Sequence, residues 1–348
     1  MSKDFNNTIY SHQTIREALE KINELSDALT LFVLNENQQL VGTITDGDVR
    51  RNLLKGITIE DEVSTIMFTQ FRFLRQGSYT LEEIKKFKDL NLNQIPLLDG
   101  DNKILRIINL SKYRTLLPVD VVLMAGGRGE RLRPLTDTTP KPLLKIGDKA
   151  IIERNIDRLA EFGVSNFFLT IKYLGEQLVQ KFGNGSDKNI HIEYIEETKP
   201  LGTIGSVSLI KEFKNDTVLV MNSDLLTNID FEDFYNQFIT EDADMAVASI
   251  PYKVDVPYAV LEKEGNRILS FKEKPTYTYY SNAGIYLIKR SLLDIIPIGE
   301  HFNATDFMET LIANESKVIH FPIHGYWLDI GKHDDFNKAQ DDVLHIKF

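Results

Sequence analysis

Cysteine is missing altogether from the 348 residues, and tryptophan occurs once. The first absence excludes a disulfide framework and any thiolate-held metal, and it fits a reducing compartment. Long apolar runs are also missing. No stretch approaches the length that spans a bilayer, and Met1-Ser2-Lys3-Asp4-Phe5-Asn6-Asn7 leads into no apolar segment of the secretory kind. The expectation is a soluble cytoplasmic protein with no membrane partner. Positive charge is in deficit, 40 Lys and Arg against 51 Asp and Glu, for a net charge of −11. That balance argues against broad binding to nucleic acid, so a phosphate-bearing ligand has to meet a local basic cluster. The remainder, 42% hydrophobic and 26% charged, is enough for a sizeable core, and the length favours two domains.

Residues 1–117 carry an approximate repeat of about sixty residues, the scale of one supersecondary module. A helical pattern from Thr14 to Ala28 leads to the apolar run Leu29 to Leu34, a turn at Asn35-Glu36-Asn37 and a strand from Leu40 to Ile44. Asp46-Gly47-Asp48 then opens a helix. The order recurs as a helix over Leu81 to Leu90, a strand over Gln94 to Leu98, a turn at Asp99 to Asn102 and a strand over Ile104 to Ile108. Two small modules packed on each other are expected.

Residues 118–348 change character to short apolar strands alternating with amphipathic helices, the pattern of a mostly parallel sheet covered on both faces. Strands are read at Val119 to Met124, Asn166 to Ile171, His191 to Ile195, Thr217 to Met221 and Ala246 to Ile250. Ile151 to Glu161 and Gly175 to Phe182 are the clearest helices, each with a glycine just beyond. The fold class is therefore α/β, a Rossmann-like mixed sheet preceded by a small α/β domain. Ligands of such sheets bind beyond the carboxyl ends of the strands, which puts Gly126 and Asp224 at one edge.

The local basic cluster follows the first of these strands. From Arg128 to Lys145 there are five basic residues (Arg128, Arg131, Arg133, Lys141, Lys145) against two acidic ones (Glu130, Asp137). Gly126, Gly127 and Gly129 let backbone N–H groups approach phosphate oxygens, and the arginines add planar donor forks. Glycines alone would read more readily as a tight strand-to-loop turn with a solvated charged face. A Walker loop would need a terminal Gly-Lys-Ser/Thr, and a dinucleotide fingerprint would need a glycine at Leu132; neither is present. Asp224 ends an apolar strand, where an isolated aspartate also suits a turn or helix cap. Asp329 interrupts Tyr326-Trp327-Leu328-Asp329-Ile330-Gly331, an apolar setting in which a carboxylate costs free energy unless paired or bound to a cation.

The string Gly126 to Pro134, joined to Pro140-Lys141-Pro142, resembles the signature of the sugar-phosphate nucleotidyltransferases. The likeness continues in order through Pro200-Leu201-Gly202-Thr203, Asn222-Ser223-Asp224, Phe271 to Pro275, Asn282 to Tyr286 and Trp327 to Gly331. It implies transfer of a nucleoside monophosphate from a nucleoside triphosphate to a sugar 1-phosphate, with pyrophosphate released. It further implies Asp224 and Asp329 as ligands of Mg²⁺, with Mn²⁺ as a substitute, Arg131 on the β- and γ-phosphates, Lys141 near the α-phosphorus and Lys274 on the sugar phosphate. By the same resemblance Gly126, Gly127, Gly129, Leu201, Gly202 and Thr203 surround the nucleotide. Glu273, Asn282, Gly284 and Ala259 surround the sugar; the family often has glycine where Ala259 stands. The 200–203 string is closest to relatives that use GTP on mannose-type or heptose-type sugars, with UTP and dTTP as alternatives; the glucosamine type is implied by the domain combination described below.

Leu40 to Arg50 resembles the end of a cystathionine-β-synthase (CBS) motif, so the repeat reads as a CBS pair, regulatory or dimer-forming. In that family Asp48 would hold ribose hydroxyls of an adenine nucleotide, with Thr45 nearby. In the second repeat Ser111 stands where Asp48 does, leaving at most one such site. This domain combination resembles bacterial enzymes that activate sugars for surface glycans, and a homo-oligomer is expected. A catalytically silent nucleotide sensor is the alternative from another class.

Overall fold

The computed structural model describes residues 5–25, 30–346 and 348. The chain divides into two compact units, Met1–Leu116 and Leu117–Phe348. In the first unit, β1 (Thr8–Tyr10), α1 (Ile15–Glu24), β2 (Thr30–Leu34), β3 (Leu40–Thr45) and α2 (Asp46–Leu53) form one module. β4 (Leu74–Arg75), α3 (Leu81–Asp89), β5 (Gln94–Leu98) and β6 (Ile104–Asn109) form the other. Their topologies are the same: a parallel pair, β1 with β2 and β4 with β5, extended by an antiparallel third strand. The expected helix to Ala28 is seen to Glu24; residues 26–29, which also take in the start of the run at Leu29, lie outside the described ones.

Each main helix of this unit starts on the same device. Thr14, Thr45 and Thr80 accept from the amide three residues on, while Glu17, Asp48 and Glu83 reach back to the cap amides. Such reciprocal boxes satisfy two amides that a helix start otherwise leaves open. The modules meet through Phe32, Leu40 and Leu98, all buried, and through the bond from the Leu40 amide to the Asn102 carbonyl at 2.9 Å.

The second unit contains β7 (Val119–Met124), a small β8 (Lys145–Ile146) and β9 (Lys149–Ala150) hairpin, α4 (Ile151–Glu161), β10 (Asn166–Ile171), α5 (Gly175–Phe182) and β11 (His191–Glu196). It continues with β12 (Thr217–Asn222), β13 (Leu225–Thr227), α6 (Phe231–Thr240), β14 (Met245–Asp255), β15 (Val260–Glu264), β16 (Arg267–Lys272) and β17 (Thr276–Lys289). α7 (Ala304–Ala313), β18 (Val318–Pro322), β19 (Trp327–Asp329) and α8 (His333–Asp342) complete it. Seven strands make one sheet in the order β11-β10-β7-β12-β17-β14-β18. All neighbours are parallel except β17, which runs antiparallel to both β12 and β14. The sheet is thus mixed and mostly parallel, as expected from the sequence. From β7 the chain first moves outward through β10 to β11 and then crosses to β12 on the other side. The order reverses between β7 and β12, which opens a crevice beyond their carboxyl ends.

Apolar positions of the strands pack on helices at both faces. Val122, Val220, Met245 and Ile288 join Phe307 and Leu311 of α7 in one cluster, and Phe162 after α4 meets Phe231 of α6 edge-on at 5.6 Å. At the opposite end of β7 from the crevice, Asp120 is fully buried and well satisfied. It accepts from the amides of Lys214 and Asn215, at 2.6 and 2.9 Å, and from the side chains of Asn166 and Asn215, at 2.8 and 3.0 Å. Asp120 fastens β7, β10 and the turn before β12 together. Removing one partner strands the others in the interior, so Asp120→Ala is expected to destabilise the second unit by about 3 kcal/mol. Urea unfolding of the full chain followed by circular dichroism measures this; a loss under about 1 kcal/mol would show that the network contributes little.

Candidate active site

The crevice is built around one cation held between two carboxylates. Asp224 stands in the two-residue turn between β12 and β13. Asp329 ends β19, whose antiparallel pairing with β13 sets Asp329 opposite Leu225, and the Ile330 amide donates to the Asp224 carbonyl at 3.2 Å. Lys141, nearly buried, makes an ion pair with Asp224 Oδ2 and lies 3.8 Å from Asp329 Oδ1. α4 braces this arrangement from beneath. Asn155, buried on that helix, donates to the carbonyls of Ser223 and Leu225, at 3.4 and 3.0 Å, one on each side of Asp224. Ser223 Oγ in turn donates to the Met124 carbonyl at 2.6 Å, tying the ends of β12 and β7.

The electrostatics of the pair are unbalanced. Burial pushes the Asp329 carboxyl above its ordinary value, and the Asp224 charge pushes the same way; Lys141 and Arg131 oppose both. Asp329 Oδ1 is a buried oxygen with no hydrogen-bond partner. Two carboxylates, one with an unsatisfied oxygen, and a single lysine between them form a donor set suited to a hard divalent cation. No cluster of three or more His, Cys, Asp or Glu among the described residues is placed to hold a metal. An ion here would take its remaining ligands from water and from substrate phosphates, which is the habit of Mg²⁺.

The glycine and arginine loop folds back onto Lys141. Gly129 has a left-handed backbone (φ +63°), and a Cβ there would stand 2.9 Å from Lys141 Cβ and 3.1 Å from Thr136 Cγ2. Thr136 Oγ1 donates to the Gly129 carbonyl at 2.9 Å. Leu132 is fully buried and anchors the loop, while Gly127, Arg128, Arg131 and Arg133 remain exposed. Arg131 reaches back toward the metal side: its guanidinium lies 3.7 Å from where a Cβ on Gly331 would stand. His333 of α8 contacts the Arg133 carbonyl at 2.8 Å.

On the other side of Gly126 stands Glu197, which the sequence reading passed over. It follows β11, is 8% exposed, and its Oε1 lies 3.0 Å from where a Cβ on Gly126 would be. Burial raises its pKa above the usual glutamate value, while bonds from the Leu201 amide and the Ser206 hydroxyl and the charge of Lys172 act against that rise. The one sequence signal for it was an acid immediately before the 200–203 string, hidden among Glu196, Thr198 and Lys199.

The remaining expected residues divide. Gly202 (φ +79°) leaves no room for a side chain, since a Cβ would meet the Phe302 carbonyl at 2.5 Å; Leu201 is buried. The Thr203 hydroxyl accepts from the Ala304 amide at 2.8 Å and so serves the start of α7. Gly284 (φ +72°) packs on Asn222, where a Cβ would be 2.5 Å from Nδ2. Asn282 is oriented by its bonds with the Tyr286 hydroxyl and the Gly284 amide, at 2.9 and 2.8 Å. Ala259, Glu273 and Lys274 are all exposed and sit at the ends of β15 and β16, away from the buried sheet. In the first unit, Asp48 is engaged at both oxygens, by the Thr45 amide and hydroxyl (2.9 and 2.6 Å) and by Arg51 (2.6 Å). A cavity of about 1270 Å³ in that unit is lined by Tyr10, His12, Glu17, Lys21 and Lys103, among others, and by neither Thr45 nor Asp48.

A crevice at the sheet's reversal point, a glycine and arginine loop, and two carboxylates around a lysine agree with what family comparison finds. Residues 120–346 match the nucleotidyl transferase family, and the chain belongs to it; residues 1–55 match the CBS domain. The chain is 31% identical over 234 residues to a mannose-1-phosphate guanylyltransferase of Mycobacterium tuberculosis, covering 65% of each protein. It is 29% identical over 232 residues to a D-glycero-alpha-D-manno-heptose 1-phosphate guanylyltransferase of Aneurinibacillus thermoaerophilus, covering 65% of this chain and 99% of that protein. Among solved structures it resembles HddC of Yersinia pseudotuberculosis, at TM-score 0.51 and 25% identity over 65% of this chain and 99% of that one. The aligned part spans 65% and 61% of the length of the mycobacterial protein and of a mannose-1-phosphate guanyltransferase of Yarrowia lipolytica. No helix among the described residues is long and apolar enough to cross a membrane.

The tight backing of Gly129 by Lys141 makes a local prediction. Gly129→Ala places an L-residue in the left-handed region, at about 1–2 kcal/mol for the backbone alone, and pushes Lys141 out of line. Denaturant unfolding is expected to show that loss; a variant as stable as the parent would mean that the loop adjusts without cost.

Proposed function

We propose that this chain transfers a guanylyl group from GTP to a sugar 1-phosphate, forming a GDP-sugar and pyrophosphate. The observation that carries the reading is the Asp224, Lys141 and Asp329 cluster at the mouth of the crevice, with the unsatisfied oxygen of Asp329. A phosphate oxygen of the sugar 1-phosphate attacks the α-phosphorus of GTP, and the bond from that phosphorus to the bridging oxygen of the β-phosphate breaks. Since the nucleophile is already anionic, the chain has no proton to remove; it has to align two polyanions and offset charge as it moves to the leaving group. Asp224 and Asp329 would hold Mg²⁺, which when bound neutralises phosphate charge and fixes phosphate geometry. Lys141 sits where it can shift from Asp224 to the α-phosphate. Arg131, with Gly127 and Gly129, meets the β- and γ-phosphates from the exposed loop. Lys274 and Glu273 take the sugar phosphate and a sugar hydroxyl, with Asn282 and the Gly284 backbone beneath.

Guanine is supported by Glu197 beside Gly126. The Watson–Crick edge of guanine carries two adjacent donors, N1–H and the N2 amino group, and a carboxylate accepts from both. Uracil and thymine present a single N–H between two carbonyl oxygens, which a buried carboxylate repels. The guanylyltransferases among the relatives named above support the same choice, and their mannose and manno-heptose substrates favour a manno-configured sugar.

Pyrophosphate release with GTP, Mg²⁺ and mannose 1-phosphate or its heptose counterpart tests the reaction. It should stop with a chelator and with Asp224→Asn; silence of the parent chain with every common triphosphate and sugar 1-phosphate would refute it and favour a nucleotide sensor. Glu197→Gln should lower kcat/KM for GTP about 10–100-fold, as expected for losing charge-assisted bonds of roughly 1.5–3 kcal/mol, and narrow the gap to UTP. An equal fall for all triphosphates would count against base reading. The raised pKa of Glu197 adds a pH test. The Asp329 carboxyl is raised as well and titrates in parent and variant alike, so the KM for GTP should climb on acidification with an added limb from Glu197, whose carboxylate protonates at a higher pH than an ordinary glutamate. Glu197→Gln should lack that limb.

A further inference from the structure

The loop from Gly126 to Lys141 is held in two different ways. Its first half is anchored in the interior: Leu132 is fully buried in one apolar cluster with Ile146, Ile151 and Ile330, and His333 contacts the Arg133 carbonyl at 2.8 Å. Residues 134–139 carry no strand or helix, and Pro134, Leu135, Asp137 and Thr138 are exposed. Three successive carbonyls of this second half are nonetheless taken by side chains. The Tyr173 hydroxyl donates to the carbonyls of Thr136 and Asp137, sharing one hydrogen between two acceptors, each 3.1 Å away. Gln177 Nε2 donates to the Thr138 carbonyl at 2.9 Å.

Both donors come from one place in the fold. Tyr173 stands two residues past the end of β10, and Gln177 lies in the first turn of α5. Leu174 between them is left-handed, with φ +52° and ψ +30°. A leucine there costs free energy that a glycine would not, and it persists where the surroundings fix it. It turns the chain so sharply that α5 begins at the next residue, and the two side chains meet the same loop. Water would satisfy carbonyls at exposed residues nearly as well, so these bonds add little net stability. What they fix is position. A peptide group is planar, so directing three adjacent carbonyls directs three successive planes of the backbone.

We propose that Tyr173 and Gln177 are positioning residues for the triphosphate loop, setting through Thr136 where Gly129 and Lys141 stand. The role rests on the function proposed above. Every step of the path is a contact. Thr136 is 1% exposed; Tyr173 holds its carbonyl, and its own hydroxyl donates to the Gly129 carbonyl at 2.9 Å. The Thr136 methyl group stands 3.1 Å, and Lys141 Cβ 2.9 Å, from where a Cβ on Gly129 would be. Gly129 is thus clasped between the two, and Lys141 runs on to its ion pair with Asp224. Lys141 is the cation that the proposed reaction needs at the α-phosphorus, where a misplacement on the order of 1 Å can cost about a hundredfold in rate.

Steady-state kinetics of the full chain test the role. Tyr173→Phe/Gln177→Met keeps the ring and the side-chain length and removes both donors. With GTP and mannose 1-phosphate its kcat should fall about 10–100-fold, while the KM for mannose 1-phosphate holds. Thr136→Val should give a similar loss and Thr136→Ser should recover most of it. Adding Thr136→Val to the double variant should cost little more, because all three side chains act along one path. Tyr194→Phe is the structural control: its hydroxyl donates to the Gly183 carbonyl at 2.7 Å, at the far end of α5. That variant should lose stability to urea and keep its kcat. If the double variant folds poorly, Gln177→Met alone carries the same expectation with a smaller loss. Hydrogen exchange reads the latch without substrate. The amides of Leu132, Leu135 and Asp137, bonded within the loop, should exchange faster in the double variant while those of β10 hold. An active parent with unchanged kcat in the variant overturns the role and leaves the function standing, as do unchanged loop exchange or fully additive losses with Thr136→Val. A parent silent with every triphosphate overturns both.

Discussion

One lysine stands between two carboxylates, and the architecture around the crevice is the means of holding them there. Lys141 neutralises Asp224 and is too far from Asp329 Oδ1 to satisfy it as well. The short β13–β19 ladder nonetheless forces the two acids together, with Asn155 and Ser223 gripping the backbone on either side. Left to itself such a pair repels, and burial makes the repulsion worse. On the function proposed above, a divalent ion would offset the two carboxylates and substrate phosphates would offset Lys141, so the cluster would make binding electrostatically favourable at the expense of the empty state.

On the function proposed above, a division of labour would follow from how each half of the crevice is supported, with the nucleotide on one side and the sugar on the other. The nucleotide side consists of strand ends and glycine turns pressed against side chains, at Gly126, Gly129 and Gly202, where no Cβ fits without displacement. Its geometry is set before any ligand arrives. The sugar side combines one rigid element, Gly284 on Asn222, with residues at the end of an exposed ribbon. Rigid reading of the donor and adjustable reading of the acceptor suit a scaffold whose relatives share a reaction and differ in the sugar.

Much of this was visible in the sequence, and the limits have physical causes. α4 and α5 match the expected Ile151 to Glu161 and Gly175 to Phe182 because amphipathic spacing and a following glycine coincide there. Most of the parallel strands were legible as short, largely apolar runs, and β11 as an alternating one. β17 was not, since its 14 residues change from exposed tyrosines to buried aliphatics midway and so carry no single period. β14 likewise runs five residues beyond the expected Ile250 into solvent. Asp224 and Asp329 stood out as lone acids in apolar surroundings, but it was the family resemblance, and not their setting, that marked them as metal ligands. Glu197 was hidden because an acid among acids looks solvated until the fold buries it. Thr45 and Asp48 show the converse: a spacing suited to a ligand is also the spacing of a helix cap, and here both side chains cap α2.

β7 is the first strand of its unit and an interior strand of its sheet. In the first unit each strand finds its neighbours within a few dozen residues, so that unit can settle early in synthesis. β7 pairs with Val119 opposite Thr217, a separation of 98 residues, and β12 must then wait for β17. The central ladder therefore stays open until most of the chain has been made. Five of its six residues are apolar, the exception being the buried Asp120, so until β12 is made the nascent chain carries an open apolar strand edge of the kind that invites wrong pairing.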